Sequence, residues 1–167
     1  MPDVRLERSL RVPAESALPV LGDVLTAIAK QEGPWRGFAL HVALGDLHLP
    51  NVGYVAVPIG LTATKNNEHR AIDITFHASS LPSAFPTFKG AMGVTPGELG
   101  ECTLYLTGAY DLPMRIFGNL LDAALAPGVA ARSLENFIDE IAIACQARVD
   151  QREAEFARYR YYSTSLR

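Results

Sequence analysis

Apolar and polar residues alternate with a period of two along most of the first two thirds of the chain. Each alternating segment predicts a β-strand with one buried face, and these segments lie at 4–12, 38–44, 52–63, 72–78, 87–94 and 102–108. Short turns join the last five segments, which predicts an antiparallel meander. Pro58 lies within the third segment and predicts an edge or a bulge at that point.

Two other segments have the period of an α-helix. Between Glu15 and Gly33, leucine and isoleucine recur at steps of three and four residues. After Pro113 a first amphipathic piece is interrupted at Pro127-Gly128, and a second holds a 3.6-residue period from Leu134 to Val149. Followed on to Phe156, this second pattern predicts a helix of about 25 residues or more, about 40 Å long.

A sheet with one apolar face followed by a long apolar stripe predicts an α+β domain in which the helix covers the sheet. The opening VRLERSLRVPAE resembles the first strand and first helix of the START-like superfamily, also called SRPBCC (polyketide cyclase, coenzyme Q-binding). The segment LTGAYDLPMRIFGNLLDAALAPGVAARSLENFIDEIA resembles the last strand, loop and long helix of that superfamily. The resemblance covers residues 4–149. It implies a helix-grip fold, in which a curved antiparallel sheet wraps around the C-terminal helix and leaves an apolar cavity.

The chain length predicts one domain. With 167 residues, 18.1 kDa and 49% hydrophobic residues, the chain is able to bury a substantial core. We place the START-like domain at residues 1–157 and a basic, aromatic tail at 158–167. The tail alternates arginines with tyrosines, which is typical of a solvated helix end or of a segment that binds an anionic surface or a partner.

Charge and cysteine content narrow the range of functions expected for this protein. Fifteen Lys and Arg against eighteen Asp and Glu leave no dense basic footprint, so nucleic-acid binding is not expected. The chain shows neither a secretory leader nor an apolar run of about 20 residues, which predicts a cytoplasmic protein without integral membrane association. Cys102 and Cys145 have no metal-ligand spacing and are interpreted as buried, reduced thiols.

The candidate site is the set of apolar side chains expected to face the long helix, together with the helix positions opposite them. As a cavity lining they suit a hydrophobic ligand, whereas the alternative is a filled core, and periodicity does not separate the two. The resemblance favours the cavity. The predicted ligand-binding residues are Phe38, Leu40, Val42, Val55, Val57, Ile72, Ile74, Phe76, Phe88, Met92, Leu104, Leu106, Leu134, Ile138 and Ile141.

Catalytic and metal chemistry have weaker signals. Of the four histidines, His77 shares the polar side of its strand with Asp73, so exposed decoration is a better interpretation than a zinc site. No GxSxG or adjacent Cys-His motif is present. The polar side chains near the expected interior are Tyr54, Tyr110 and Arg115. The connection that carries Phe85 and Phe88 is either a lip over the cavity or a bulged link between strands.

These observations predict non-covalent binding of a hydrophobic small molecule, such as a lipid, polyketide or quinone-like compound, without a cofactor or a metal. One alternative is an aromatase/cyclase-type enzyme on the same fold, which the START-like resemblance also allows. Another is a protein-interaction module whose outer sheet face or C-terminal tail binds a protein partner or a second copy. The fold alone does not decide among them.

Overall fold

Within residues 3–43, 54–66, 71–79, 87–111 and 126–164, which a computed structural model describes, one six-stranded antiparallel sheet packs against two helices. The elements in chain order are β1 (Asp3–Leu10), α1 (Ala14–Ala29), a 3₁₀ turn (Gly33–Trp35), β2 (Ala39–Ala43), β3 (Tyr54–Asn66), β4 (Ala71–Ala78), β5 (Thr87–Pro96), β6 (Cys102–Asp111) and α2 (Ala126–Thr164). This is the α+β class predicted from the sequence.

The strand order is β1-β6-β5-β4-β3-β2, so the predicted meander from β2 to β6 is confirmed and β1 adds to its far edge. Residues 54–58 of β3 pair with β2, whereas residues 59–66 pair with β4. Pro58 lies where β3 changes partner, close to the edge or bulge expected there. Its carbonyl accepts a 2.8 Å hydrogen bond from the Ser79 N–H, and its missing N–H costs no ladder bond beyond the end of β4.

Helix α2 is held by both edges of the sheet. It packs mainly against β1 and β2, which are the first and last strands in the sheet order. Because both edges reach the same helix, the sheet has to curve around it. Arg8 of β1 forms an ion pair with Asp139 of α2, and the Arg11 N–H donates a 3.1 Å hydrogen bond to Gln146 Oε1.

Helix α1 covers one end of the curved sheet. Its buried face packs against β3, β5 and α2. A methyl group at Gly22 would lie 3.7 Å from both Ile72 Cδ1 and Lys65 Cε, near the β3–β4 connection. The antiparallel order places the last residues of β2, β4 and β6 (Ala43, Ala78 and Asp111) at the opposite end. Phe85 and Arg115 fall outside the described residues.

Helix α2 extends past the core. Its described part, Ala126–Thr164, includes both Pro127 and Gly128, so the helix runs through the interruption expected there. The helix runs beyond Phe156 to Thr164, although Val149 is the last buried side chain and residues 151–160 are all exposed. Hydrogen bonds from Gln146 to Asp150 and from Gln151 to Glu155, four residues apart, support this exposed part.

Candidate functional site

The concave face of the sheet is the face that α2 covers, and its side chains form rows across the strands. One row joins Leu6, Leu106, Met92 and Ile72 by direct cross-strand pairing. Another joins Tyr110, Phe88, Phe76 and Leu61. The strand pattern produces these rows because alternate residues share a face and the register aligns them.

Most of the predicted ligand-binding residues lie together in the interior between the sheet and α2. Those whose side chains are described are all at most 9% exposed, and they are Phe38, Val57, Ile72, Ile74, Phe76, Phe88, Met92, Leu104, Leu106, Leu134, Ile138 and Ile141. The backbones of Leu40, Val42 and Val55 lie on β2 and β3, where Leu40 pairs with Val57 and Val42 pairs with Val55. The side chains of these three lie outside the described part. That this set lines a ligand cavity stays a prediction.

An aromatic cluster connects α2 to the middle of the sheet. The Phe137 ring lies 5.2 Å from that of Phe76 and 6.1 Å from that of Phe38, measured between centroids. Phe88 stacks on Phe76 at 5.0 Å. Phe88 therefore belongs to the interior of β5 and not to a lip over the cavity. Phe137 was missing from the predicted site, although its place in the helical stripe of α2 was a signal for it.

Two glycines give the concave face a depression. Gly90 of β5 and Gly108 of β6 are cross-strand partners. A Cβ on Gly108 would lie 2.4 Å from the Lys89 carbonyl oxygen and 2.7 Å from Phe88 Cζ. The Phe88 ring thus occupies the space above both glycines, and strands β5 and β6 come closer there than side chains would permit. Glycine at such a position allows the strong local curvature that a wrapped sheet needs.

Buried polar groups on the concave side are few. Tyr110 ends the row of Phe88 and Phe76 and is 4% exposed, and burial raises the pKa of its phenol above 10.0. Ser133 on α2 is buried as well. Tyr54 is on β3 with its side chain outside the described part, and Arg115 lies wholly outside it. A buried, protonated phenol is a hydrogen-bond donor suited to a carbonyl or hydroxyl oxygen on an apolar molecule.

The two thiols lie inside the core, as expected. Cys102 and Cys145 are both buried and unpaired with each other, and burial raises the pKa of Cys145 to about 12. His77 and Asp73 are exposed on the convex face. In the described ranges, no three histidine, cysteine or acidic side chains approach closely enough to bind a metal ion. No helix there is both long and apolar enough to span a bilayer.

Solved structures with the same arrangement establish the fold. A protein from Thermus thermophilus is 18% identical with a TM-score of 0.54, covering 88% of this chain and 99% of its own. A conserved protein from Geobacillus kaustophilus is 12% identical with a TM-score of 0.50, covering 86% of this chain and 95% of its own. The Zhui aromatase/cyclase from Streptomyces sp. R1128 is 18% identical with a TM-score of 0.46, covering 87% of this chain and 89% of its own.

The chain has the helix-grip α+β fold that the resemblance implied. No protein-family model and no curated protein matches it. Identities this low establish the fold alone, so the chemistry has to be argued from the residues of this chain.

Proposed function

We propose that this protein binds a hydrophobic small molecule, of lipid, polyketide or quinone type, non-covalently between the concave face and α2. One observation carries the proposal. The concave face is apolar across its strands, yet α2 packs mainly against the two edge strands, β1 and β2. Over the middle strands, α2 reaches the sheet through the Phe137 ring, 5.2 Å from that of Phe76, and apolar walls with few polar groups suit such a ligand.

The aromatic cluster and α1 define where the ligand lies in this proposal. Helix α1 closes the end near Lys65 and Ile72. The ligand therefore enters from the opposite end, where β2, β4 and β6 end, and lies against Phe76, Phe88 and Phe137. Tyr110 belongs to the same row, at its β6 end. The ligand-binding unit is residues 1–157.

An enzyme of the aromatase/cyclase type is the second candidate, and Tyr110 is the observation in its favour. Tyr110 is buried in the row of Phe88 and Phe76, where a phenol placed against a substrate carbonyl acts as a general acid. Tyr110→Phe separates the two functions. It leaves binding of an apolar ligand nearly unchanged, whereas an enzyme that polarises a carbonyl through this phenol loses turnover.

Titration with 8-anilino-1-naphthalenesulfonate, an anionic fluorescent probe with an apolar ring system, tests the proposed site. Leu106→Trp adds bulk in the middle of the concave face, and Thr107→Trp adds the same bulk on the exposed convex face one residue away. We expect saturable binding to the wild type, at least about tenfold weaker binding to Leu106→Trp, and wild-type binding to Thr107→Trp. Equal affinity of the two variants would exclude the concave face as the probe's site.

Loss of folding in Leu106→Trp would mimic loss of binding. Circular dichroism therefore accompanies each titration, because a filled core opposes the added indole by about 1–3 kcal/mol. If Leu106→Trp is destabilised by about 1–3 kcal/mol and the wild type binds no probe, the interior is a filled core and the proposal is wrong.

A further inference from the structure

A groove on the outside of the domain lies between α1, the 3₁₀ turn and α2. Its volume is about 600 Å³. It uses the side of α2 that carries Ile143 and Ala147, next to the stripe of Ile138, Ile141 and Cys145 that is buried in the core. Apolar side chains make up most of its walls, and they are Val24, Ala27, Pro34, Trp35, Ile143, Ala144 and Ala147. Ile143 is 70% exposed, which is unusual for a side chain of its size.

The groove is acidic at its margins. Three carboxylates, Asp23, Glu32 and Glu140, line it together with the Arg148 guanidinium, and Arg152 pairs with Asp23 at the margin, which leaves one carboxylate in excess. An apolar trough with an acidic rim fits a helix that is apolar or small-sided at its centre and basic toward one end.

The exposed part of α2 is such a helix. On α2, the groove side continues from Ile143 and Ala147 through Gln151 and Ala154 to Arg158, at steps of three and four residues that keep one face. No acidic residue follows Glu155 in the sequence, whereas three arginines do. Arg152, at the start of this exposed part, already pairs with Asp23 on the groove at 2.8 Å, so an arginine of this segment is compatible with that rim.

We propose that the groove binds the α2 helix of a second copy of this chain, so that two α2 helices pack antiparallel about a two-fold axis. Glu140 and Arg158 lie 18 residues apart on the same face, with the small side chain of Ala147 near the midpoint. In an antiparallel pair, Glu140 of each copy therefore faces Arg158 of the other. The two reciprocal ion pairs lie about 27 Å apart along the helices, and a two-fold contact of this kind closes on itself.

A second copy fits the groove better than the other occupants considered from the sequence. An anionic membrane surface would favour an uninterrupted basic face, but Glu153 and Glu155 stand among the arginines of the exposed segment. The exposed Phe156 and Tyr159 belong to the continuation of the core-facing stripe and not to the groove face. They are therefore not part of the proposed contact.

Sedimentation velocity of the full chain over a range of concentrations tests the proposal by charge exchange. Glu140→Arg and Arg158→Glu each place like charges opposite one another twice, so the dissociation constant of the dimer should rise by about tenfold or more. The double variant Glu140→Arg/Arg158→Glu restores opposite charges and should recover dimerisation. Glu153→Arg is the control, because Glu153 is exposed on the far side of the helix, and it should dimerise as the wild type does.

Several results would overturn the proposal. A wild type that stays monomeric at every concentration would do so, and so would a dimer that neither single variant weakens or that the double variant fails to restore. A monomer that instead co-sediments with phosphatidylserine vesicles would assign the segment to a membrane. If a charge variant loses its circular dichroism, Ala147→Glu replaces it, since it places two carboxylates near the two-fold axis and should also abolish the dimer.

Discussion

The close packing of Gly90 and Gly108 beneath the Phe88 ring allows a quantitative prediction of how much stability an added methyl group costs. Gly108→Ala adds a single methyl group that would lie 2.4 Å from the Lys89 carbonyl oxygen and 2.6 Å from Gly90 Cα. Contacts of this kind are essentially never shorter than 3.0 Å. The Phe88 ring, 2.7 Å from the same point, has little freedom to leave because it stacks on Phe76. Strands β5 and β6 must therefore separate locally.

Such overpacking costs about 1–3 kcal/mol of unfolding free energy, which corresponds to a fall of about 3–10 °C in Tm for a domain of this size. Urea unfolding followed by circular dichroism measures it. Gly22→Ala is the matched control, because its methyl group would have ordinary 3.7 Å contacts and alanine favours a helix over glycine by about 1 kcal/mol. We expect opposite signs for the two variants. A Gly108→Ala protein as stable as the wild type would refute the close approach of β5 and β6.

Two further predictions concern the contacts of α2. Asp139→Asn removes the charge opposite Arg8, whose pKa is raised by its hydrogen bond to Asp139. Because both side chains are about one-third exposed or more, we expect urea unfolding to show a loss of only about 0.5–1 kcal/mol in unfolding free energy. A loss that high salt leaves unchanged would contradict an ionic origin. The pKa of Cys145 is about 12 in the folded chain against an ordinary 9.0. The unfolded chain therefore releases this proton first, and stability falls as pH rises above 9.0. Between about pH 8 and about pH 10, the unfolding free energy falls by roughly 1.4 kcal/mol because of this proton. The Cys145→Val protein should lack that part of the decline. Equal pH profiles of the two proteins would show that burial does not protect the Cys145 thiol.

The alternation of side chains was sufficient to predict the strands and the interior. In β4, Ile72, Ile74 and Phe76 are buried while Asp73 and His77 are exposed, as their parity requires. Period-two patterning is a strong signal when one face is covered and the other meets solvent. The helical period from Leu134 to Val149 predicted the buried face of α2 equally well, because one side of that helix is covered and the other meets solvent.

Features that depend on pairing between distant segments were not accessible from the sequence. Gly90 and Gly108 each look like an ordinary member of an alternating strand, and only the register of β5 with β6 places them opposite each other. Likewise, no local pattern indicates that β1 pairs with β6. The C-terminal limit of α2 was not predictable, because its end is polar on most sides and is supported by pairs such as Gln151 and Glu155, which carry no apolar period.

The outer groove shows a further limit of sequence patterns. Ile143 lies on the polar side of α2, where an isolated apolar residue is unremarkable. It becomes informative because α1 and the 3₁₀ turn bring Val24 and Trp35 beside it. Ligand binding on the concave face and dimerisation through this groove use different side chains of α2, so a variant that abolishes one is expected to leave the other intact.

Native mass spectrometry of freshly purified protein, paired with solvent extraction of whatever co-purifies, tests the central claim most directly. The account predicts a stoichiometric hydrophobic adduct on the wild type and on Thr107→Trp, and its absence from a folded Leu106→Trp protein. An adduct retained by Leu106→Trp would place the ligand elsewhere. A wild type that carries no adduct and takes up no added fatty acid, polyketide or quinone would contradict the claim that this fold binds a hydrophobic molecule here.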